Sequence, residues 1–500
     1  MKKIKELFKF YVDWTPNVIS RIILLLIPLV CYCLTKFKLN NDFWFLINTG
    51  KEILRNGFIN IEPFTIHSDL AFVPQQWLTD VVFYLIYDKF DVYGMFIFLG
   101  VINIIIIFLL YKLFLLVSDK KYKLAIFSTI FIDILLVKGF LHTRPQIFDI
   151  VFLLLEIYLL ELYIRKNNKK YLYCLPIISI MMINFHASIW PMLFVILVPY
   201  YLGRINFKIT TIEKYSLRPL IIIMILMLLG GLINPYGLEM MLYLFKSFGL
   251  KEINNLVREM RPTNISSGML TYVLLFVTFL SYYFTKKNNK KINIRYVLLF
   301  LGTGYLALSH TRGLLFLLVV IMLPILDNCK DNFKSKNISL KINKKMYIVY
   351  SLLFIVIGAF CAFNVKFETE KDNKLYGVSN YLDNVSDKNI KLYTNYDDGG
   401  YMEYRGYKCY IDPRAEVFYK ANNKKEDIMK EYFNLFVTVN PKTFLDKYDF
   451  DYLLVDKYDK LYYYLESLNY TIVYEANYQD NIYNSYRLYR NNEVLNEKNS

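Results

Sequence analysis

Long apolar segments alternate with short polar connectors over residues 1–365, and this pattern predicts a bundle of membrane-spanning helices. A helix needs roughly 20 mostly apolar residues to cross the hydrocarbon core of a bilayer. About eleven segments approach that length, and they occupy residues 18–37, 94–117, 124–141, 146–164, 171–186, 189–203, 218–234, 268–285, 294–310, 312–327 and 347–365. We therefore predict an α-helical polytopic membrane protein.

Lysine and arginine are concentrated in alternate connectors, and this bias predicts the orientation of the chain. Basic connectors lie preferentially on the cytoplasmic side of a membrane. The rule places the N-terminus in the cytoplasm, and an odd number of crossings places residues 366–500 outside, together with the loops 38–93 and 235–267. The first span follows a Lys-rich start without a small-residue cleavage site, so we expect it to remain as an anchor in the cell membrane.

The first loop, residues 38–93, carries two amphipathic stretches at 42–55 and 75–89 around a proline-containing connector. Helices with one apolar face can lie along a membrane interface. We therefore expect two interfacial helices in this loop, with Trp44 as an aromatic anchor beside Asp42.

After the last predicted span, the apolar runs shorten to the length of β-strands. Five such runs lie at 391–393, 408–411, 452–455, 471–474 and 486–489, with helical stretches at 425–436 and 460–468. This alternation predicts a small extracytoplasmic α/β C-terminal domain over residues 386–492. A linker, 366–385, precedes it, and a polar tail, 493–500, follows it.

Composition argues against two other classes of protein. The chain has 500 residues, of which 55% are hydrophobic, and this composition is atypical of a soluble globular protein. The formal net charge of +16 comes from Lys and Arg in the connectors, which positive-inside topology explains without a nucleic-acid partner. The six cysteines are scattered and form neither a disulfide framework nor a metal-binding CxxC motif.

Histidines and arginines are placed by this topology at turns of the outer face. The histidines are His67, His142, His186 and His310, and the arginines are Arg144, Arg261 and Arg312. A guanidinium at a membrane surface can bind phosphate oxygens with two hydrogen bonds, as a lipid-linked phosphate would require. For each arginine, snorkelling to lipid headgroups is the alternative.

Acidic residues of the first loop are candidates for acid/base chemistry. Asp42 can activate a hydroxyl group or bind a metal, or it can cap the helix that begins there. Glu62 is a second catalytic candidate, with His67 and Asp69 in the same loop. No cofactor motif is present, and a divalent metal remains an open alternative.

The densest polar motif is Asp397-Asp398-Gly399-Gly400-Tyr401, followed by Asp412 and Arg414. Two glycines allow a tight turn, so we predict a turn between two strands. Asp397, Asp398, Tyr401, Asp412 and Arg414 are candidate acceptor-binding residues, and a purely structural hairpin is the alternative.

Ionisable residues within the predicted spans need a partner or a cavity, because a charge in the hydrocarbon region is costly. Asp133, Lys138 and Asp149 are such residues, and we expect a pair between Lys138 and Asp149. A transporter or flippase of a lipid-linked anion would use these three side chains.

Several local motifs resemble the GT-C superfamily of polyprenyl-phosphate-dependent glycosyltransferases, in particular its uncharacterised bacterial multi-span members. The resemblance covers the architecture of nearly the whole chain, and its motifs are Asp42, Asn56-Gly57, Glu62-Pro63-Phe64, Gln76-Trp77-Leu78, Arg144-Pro145-Gln146, Asn184-Phe185-His186 and Asn234-Pro235-Tyr236-Gly237. The Asp397-Asp398-Gly399-Gly400-Tyr401 segment is distantly similar to the Trp-Trp-Asp-Tyr-Gly region of oligosaccharyltransferase catalytic subunits.

This resemblance implies transfer of a sugar from a polyprenyl-phosphate donor to an extracytoplasmic glycan, lipid or protein. It implies that Asp42 is the catalytic acid of the first loop and that outer-face arginines hold the donor phosphate, with the histidines beside them. The chain departs from the family because His142 to Gln146 contains no Asp-x-Asp and because Asn395-Tyr396 replaces the Trp-Trp pair. A noncatalytic envelope assembly protein is therefore a third hypothesis.

Overall fold

The computed structural model describes residues 25–205, 215–247, 258–332, 356, 365–468, 470–477 and 485–492. The helices that precede residue 333 are α1 (Ile27–Cys33), α2 (Asn41–Asn56), α3 (Trp77–Val117), α4 (Tyr122–Gly139), α5 (Gln146–Lys166), α6 (Leu175–Phe185), α7 (Pro191–Leu202), α8 (Arg218–Gly230), α9 (Leu238–Met241), α10 (Tyr243–Ser247), α11 (Ile265–Lys287), α12 (Ile294–Ser309), α13 (Leu314–Val320) and α14 (Met322–Cys329). Most of them form one bundle with a shared apolar core.

Helices of this bundle identify a membrane protein. Within the described residues, the segments Trp77–Val117, Gly268–Lys287 and Thr311–Asn332 are long and apolar enough to cross a bilayer, and three shorter apolar helices accompany them. The predicted spans 18–37 and 347–365 lie largely outside the described residues. The number of crossings and the orientation of the termini therefore stay predictions.

Helix α2 forms as the first loop predicts, but its surroundings differ from the prediction. The side chain of Asn40 accepts a hydrogen bond from the backbone of Asp42 and caps the helix, and Gly57, with φ of +83°, ends it. Trp44 is buried against Tyr87 and Tyr401, so its expected role as a membrane anchor is wrong. The helix packs between the bundle and the C-terminal domain.

The second expected interfacial helix is continuous with the span that follows it. Both belong to α3, which bends where Asp91 adopts φ of +52° and ψ of −154°. The N-terminal part of α3 packs along α2, and the apolar part after the bend enters the bundle. Asp91 thus marks the level at which the chain enters the membrane domain.

The C-terminal domain contains the predicted sheet. Its strands are β1 (Lys391–Tyr393), β2 (Lys408–Cys409), β3 (Tyr452–Asp456), β4 (Tyr470–Asn477) and β5 (Ser485–Asn491), and its helices are α15 (Tyr376–Val385), α16 (Gly399–Tyr404), α17 (Lys420–Asn423), α18 (Ile428–Asn434) and α19 (Pro441–Tyr448). The strand order is β2-β1-β3-β5-β4. Strand β1 pairs in parallel with β2 and β3, whereas β5 is antiparallel to β3 and β4.

Three local predictions for this domain are wrong. The expected linker 366–385 includes α15, which buries Val378 and Leu382 against the rest of the structure. The expected helix at 460–468 forms only a short 3-10 turn, Leu465–Ser467. The Asp397 motif opens helix α16, and does not form a turn between two strands, because the segment packs end-on against α2.

Candidate functional site

A cavity of about 480 Å³ lies between the membrane domain and the C-terminal domain. Its charged wall comes from the first turn of α2, the turn before α5, the 3-10 turn Arg258–Met260 and the segment before α13, and the C-terminal domain supplies an aromatic wall. Its polar and aromatic lining includes Asp42, Gln75, Arg144, Gln146, His186, Glu259, Arg312, Tyr396, Asp397, Glu416, Tyr432 and Phe433. We call it the central cavity.

Asp42 faces the central cavity from the first turn of α2. Because Asn40 caps the helix, the carboxylate of Asp42 is free for other contacts, and the capping alternative is wrong. The backbone of Asn40 also donates a hydrogen bond to Thr143 Oγ1 at 3.1 Å, which ties the start of α2 to the turn that carries Arg144. The side chain of Asp42 is 27% exposed, and this exposed part opens into the cavity.

Arg144 lies between two carboxylates. Its Nε is 2.9 Å from Asp42 Oδ2, and its Nη1 donates to Glu259 Oε1 at 2.8 Å. Burial raises the pKa of Asp42, and the Arg144 cation opposes that rise without cancelling it. The cavity therefore contains a carboxylate whose proton affinity is higher than that of an ordinary aspartate, as a general base requires.

Arg312 binds the second oxygen of Glu259. Its Nε and Nη2 donate to Glu259 Oε2 at 3.1 and 2.9 Å. Thr311 Oγ1 donates to the Glu259 carbonyl at 3.0 Å, so the two segments are joined through backbone as well as side chain. Burial raises the pKa of Glu259, but Arg312 and Arg144 outweigh it and leave that pKa below its ordinary value. Glu259 is therefore ionised and holds the two guanidinium groups side by side.

A smaller cavity of about 280 Å³ adjoins this group on its other side. His142, Phe140 and Asn40 line it together with Arg144 and Arg312. Burial and the nearby Arg144 cation lower the pKa of His142, so its imidazole is neutral at pH 7. The two arginines thus lie at a boundary that both cavities share.

His186 reaches the central cavity from the end of α6. Its Nδ1 lies 2.8 Å from Asp149 Oδ2, and both side chains are buried. Lys138 is exposed, so the predicted pair between Lys138 and Asp149 is wrong. Asp133 is buried in a different part of α4, next to Asn103. Asp133, Lys138 and Asp149, which a transporter of a lipid-linked anion would use, therefore do not form one charged cluster.

Three other predicted residues lie elsewhere. The described lining of the two cavities includes neither Arg261, which is exposed, nor His310, which begins the turn before α13. His67 packs inside the C-terminal domain, where its Nε2 lies 2.8 Å from the Tyr410 carbonyl oxygen. The histidines and arginines predicted for the outer face thus fall into two groups: some line the cavities, and the others lie outside them.

Glu62 belongs to a separate buried cluster with Arg414, Asp412 and Glu403. Arg414 Nη2 donates to Glu62 Oε1 at 2.8 Å, and Arg414 Nε donates to Asp412 at 3.0 Å. Burial raises the pKa of Glu62, but Arg414 and the hydroxyl of Thr65 outweigh it and leave the pKa below its ordinary value. The predicted site residues Glu62, Asp412 and Arg414 are therefore buried, and they connect the first loop to the C-terminal domain.

The Asp397 motif is divided between the cavity and the domain core. Asp397 is exposed and lines the central cavity, whereas Asp398 is buried and binds Lys374 Nζ at 2.6 Å. Tyr401 is buried, and its ring packs edge-on against Trp44 on α2. A side chain at Gly399 would overlap the backbone of Ile411. Within this motif, Asp397 is the residue that lines the central cavity.

Sequence reasoning missed several residues of the central cavity. Glu259 is one of them, and its place two residues before Arg261 in the predicted outer loop 235–267 is only a weak signal. Tyr396, Tyr432 and Phe433 form the aromatic wall, and Tyr432 and Phe433 pack edge-on at 5.1 Å between ring centroids. In a chain with 45 tyrosines and 39 phenylalanines, no local pattern distinguishes these three from core aromatics.

Solved archaeal oligosaccharyltransferases have a similar fold. The Archaeoglobus fulgidus enzyme tethered to an acceptor peptide containing the NVT sequon matches with a TM-score of 0.54 at 10% identity, over 89% of this chain and 70% of that chain. Its apo form matches with a TM-score of 0.51 at 11% identity, over 90% and 70% of the two chains. The same organism's AglB, in complex with an inhibitory peptide and a dolichol-phosphate, gives 0.52 at 10% identity, again over 90% and 70%.

The fold of this chain is therefore similar to that of archaeal oligosaccharyltransferases. No protein-family model matches it, and no curated protein matches it in sequence. The predicted GT-C resemblance is thus confirmed at the level of the fold, whereas the predicted roles of individual residues stay proposals.

A divalent metal, which the GT-C resemblance left open, does not fit the residues of the central cavity as they are arranged. Asp42 and Glu259 do not converge on a common point, because the guanidinium of Arg144 lies between them and contacts both. Across the described ranges, no group of three or more His, Cys, Asp or Glu residues is placed to hold a metal ion. The positive charge between these carboxylates is supplied by the protein itself.

Proposed function

We propose that this protein is a membrane glycosyltransferase that moves a sugar from a polyprenyl-phosphate donor to an extracytoplasmic acceptor. The observation that carries the proposal is the carboxylate of Asp42, which opens into the central cavity 2.9 Å from Arg144. A base and a phosphate-binding cation at one cavity are the two groups that this reaction needs. The GT-C fold supports the same reaction class, although a fold alone does not establish a reaction.

In the proposed reaction, an acceptor hydroxyl attacks the anomeric carbon of the donor sugar and inverts its configuration. Asp42 takes the hydroxyl proton as the new carbon–oxygen bond forms. The bond between the anomeric carbon and the phosphate oxygen breaks, and the electron pair leaves with the polyprenyl phosphate. Arg144 and Arg312 stabilise the charge that develops on this leaving group, where fixed positive groups have their largest effect.

The two cavities suit the two substrates. The smaller cavity, with neutral His142 and both arginines, is proposed to receive the donor phosphate. The aromatic wall of Tyr396, Tyr432 and Phe433, with Asp397 at its edge, is proposed to receive the acceptor. Aromatic faces beside carboxylates can pack against the apolar faces of sugar rings and hydrogen-bond their hydroxyl groups.

The deciding experiment measures transfer of radiolabelled sugar from a panel of polyprenyl-phosphate donors by the purified full-length protein. Asp42→Asn keeps the size of the side chain but removes the base, so we expect transfer to fall by about 10²–10⁴-fold. Asp69→Asn is the matched control, because Asp69 is an exposed acid of the same loop whose carboxylate pairs with Lys425.

Each result has a definite meaning. Full activity of Asp42→Asn would remove Asp42 from the mechanism. Absence of transfer with every donor, in wild-type protein that is folded and monodisperse, would remove the enzyme proposal and favour a role in envelope assembly. An equal loss in Asp69→Asn would mean that the first loop responds to any charge change.

A further inference from the structure

A second site lies on another face of α2. It is a cavity of about 410 Å³ that shares no described lining residue with the central cavity. Helix α2 supplies Ile47, Lys51 and Arg55, spaced four residues apart so that they lie on one face. The part of α3 before its bend, the start of the C-terminal segment and α16 supply the other walls. We call it the α2–α3 cavity.

The α2–α3 cavity contains charges of both signs that do not pair with each other. In the part of the chain that the structure describes, neither Lys51 nor Arg55 forms an ion pair with the three carboxylates of the cavity, Asp88, Asp91 and Glu370. Glu370 pairs with Arg405 at 3.2 Å, whereas Asp88 and Asp91 form no ion pair with a described cation. Opposite charges that share one cavity and do not pair with each other are suited to a ligand that carries both. Two adjacent cations on a helix face suit a phosphate group.

The acidic part of the cavity suits an ammonium group. Asp88 and Asp91 are exposed and line the cavity together with Tyr84 and Tyr87. One oxygen of Asp91 accepts a hydrogen bond from the backbone of Val92 at 2.7 Å, and its other oxygen is left for a ligand. The rings of Tyr87 and Tyr404 meet edge-on, with 6.5 Å between their centroids. Tyrosine faces attract cations, and carboxylates accept hydrogen bonds from a primary ammonium. The acids and the tyrosines therefore recognise the same chemical group.

The position of the cavity indicates a lipid. Asp91 is the bend residue of α3, and the apolar span begins directly after it. Phe90, Tyr93 and Ile97 flank the bend and are 64%, 56% and 65% exposed. Exposed aromatic and aliphatic side chains at the start of a span are typical of the boundary between headgroups and acyl chains. The cavity is therefore at the level of lipid headgroups.

We infer that the α2–α3 cavity binds the headgroup of an aminophospholipid. The phosphate lies at Lys51 and Arg55, the primary ammonium lies among Asp88, Asp91 and the tyrosines, and the acyl chains follow the exposed face of α3. A choline headgroup lacks N–H groups and cannot donate to the carboxylates. A glycerol headgroup has no cation for them. This binding is separate from the proposed sugar transfer and does not depend on it.

Native mass spectrometry of the full-length protein in detergent tests the inference. The protein is offered equimolar dioleoyl phosphatidylethanolamine, phosphatidylcholine and phosphatidylglycerol, without a sugar donor. We expect phosphatidylethanolamine to be retained about fivefold over the other two, as one additional exposed ionic contact would give. The double variant Asp88→Asn, Asp91→Asn should retain phosphatidylethanolamine and phosphatidylcholine equally. The double variant Lys51→Gln, Arg55→Gln should retain less of all three.

Matched controls are Lys89→Gln and Glu52→Gln, which change neighbouring charges that do not line the cavity. They should keep the wild-type preference. Equal retention of the three lipids by the wild-type protein would overturn the inference, and this arm needs no variant to fold. A preference for phosphatidylglycerol, or a phosphatidylethanolamine preference that survives Asp88→Asn with Asp91→Asn, would also overturn it. Failure of the transferase assay would leave these outcomes unaffected.

Discussion

Glu62 provides a sharp test, because its sequence context predicts a catalytic role and its placement indicates a structural one. Its Oε1 accepts hydrogen bonds from Phe64 N and Arg414 Nη2, both at 2.8 Å. Its Oε2 accepts from the backbone N and hydroxyl of Thr65 at 3.0 and 2.6 Å. In Glu62→Gln, the amide nitrogen of the new side chain would face donors on either side. Buried donors left without an acceptor cost about 1–3 kcal/mol of folding free energy.

Removal of the arginine should be more damaging. Burial and the Asp412 charge raise the pKa of Glu403 well above its ordinary value. Arg414 is the cation that contacts both Glu62 and Asp412, and Arg414→Gln leaves these two carboxylates buried without a cation among the described residues. Breaking a buried ion pair costs about 3–5 kcal/mol. We therefore expect Arg414→Gln to be less stable than Glu62→Gln, and both to be less stable than the wild type.

Purified protein in detergent is heated over a series of temperatures, and the fraction that stays monodisperse measures stability. Sugar transfer per amount of folded protein is then measured for each variant. Asp69→Asn is the control, because an exposed pair contributes about 0–1 kcal/mol. The structural assignment is refuted if Glu62→Gln is as stable as the wild type but inactive. The charge reasoning is refuted if Glu62→Gln is the less stable of the two cluster variants.

Three further predictions concern the metal, the base and the glycine pair. EDTA should leave sugar transfer unchanged, because Arg144 already lies between Asp42 and Glu259; a requirement for added metal in the transfer assay would contradict this arrangement. Arg144→Gln removes the cation that opposes the raised pKa of Asp42, so this pKa should rise further. Because the proposed base must be ionised, the acidic limb of the pH profile of kcat/KM should move to higher pH. An unmoved limb would mean that another group titrates. Gly399→Ala should lower the free energy of unfolding by about 1–3 kcal/mol, because the new Cβ would overlap the carbonyl of Ile411. Gly302 faces open space, so Gly302→Ala should not destabilise the protein. Equal thermal stability of the two variants would contradict this prediction.

The sequence predicted much of the fold because the signals were local. Each of the five strands was located, since strand-length apolar runs between polar segments have few other interpretations. Helix α2 and the bundle helices were located by the same kind of pattern. Where tertiary packing decides the conformation, the prediction failed, as at Gly399, where contact with α2 and Ile411 favours a short helix over a turn.

The candidate site was predicted in part for a related reason. Topology alone placed Asp42, Arg144 and Arg312 on one face of the membrane, and the structure brings them to one boundary. Topology could not distinguish Glu62 from Asp42, since both are acids of the same polar loop. In the structure Glu62 is buried beside Arg414, whose guanidinium lies over the rings of Phe64 and Phe72, and these contacts join segments far apart in the sequence. The contact between His186 and Asp149 joins residues 37 positions apart on two helices, and no local sequence pattern indicates it.

Helix α2 is enclosed by its neighbours, with Phe43 and Leu46 fully buried next to Asp42. A helix held in this way cannot shift without disrupting both the bundle and the C-terminal domain. The proposed base is therefore held in one position. Acceptors of different shape would have to be accommodated by the other walls of the central cavity. Changes in acceptor preference among related chains should then arise in the aromatic wall and the loop of Glu259, while the position of the carboxylate stays constant.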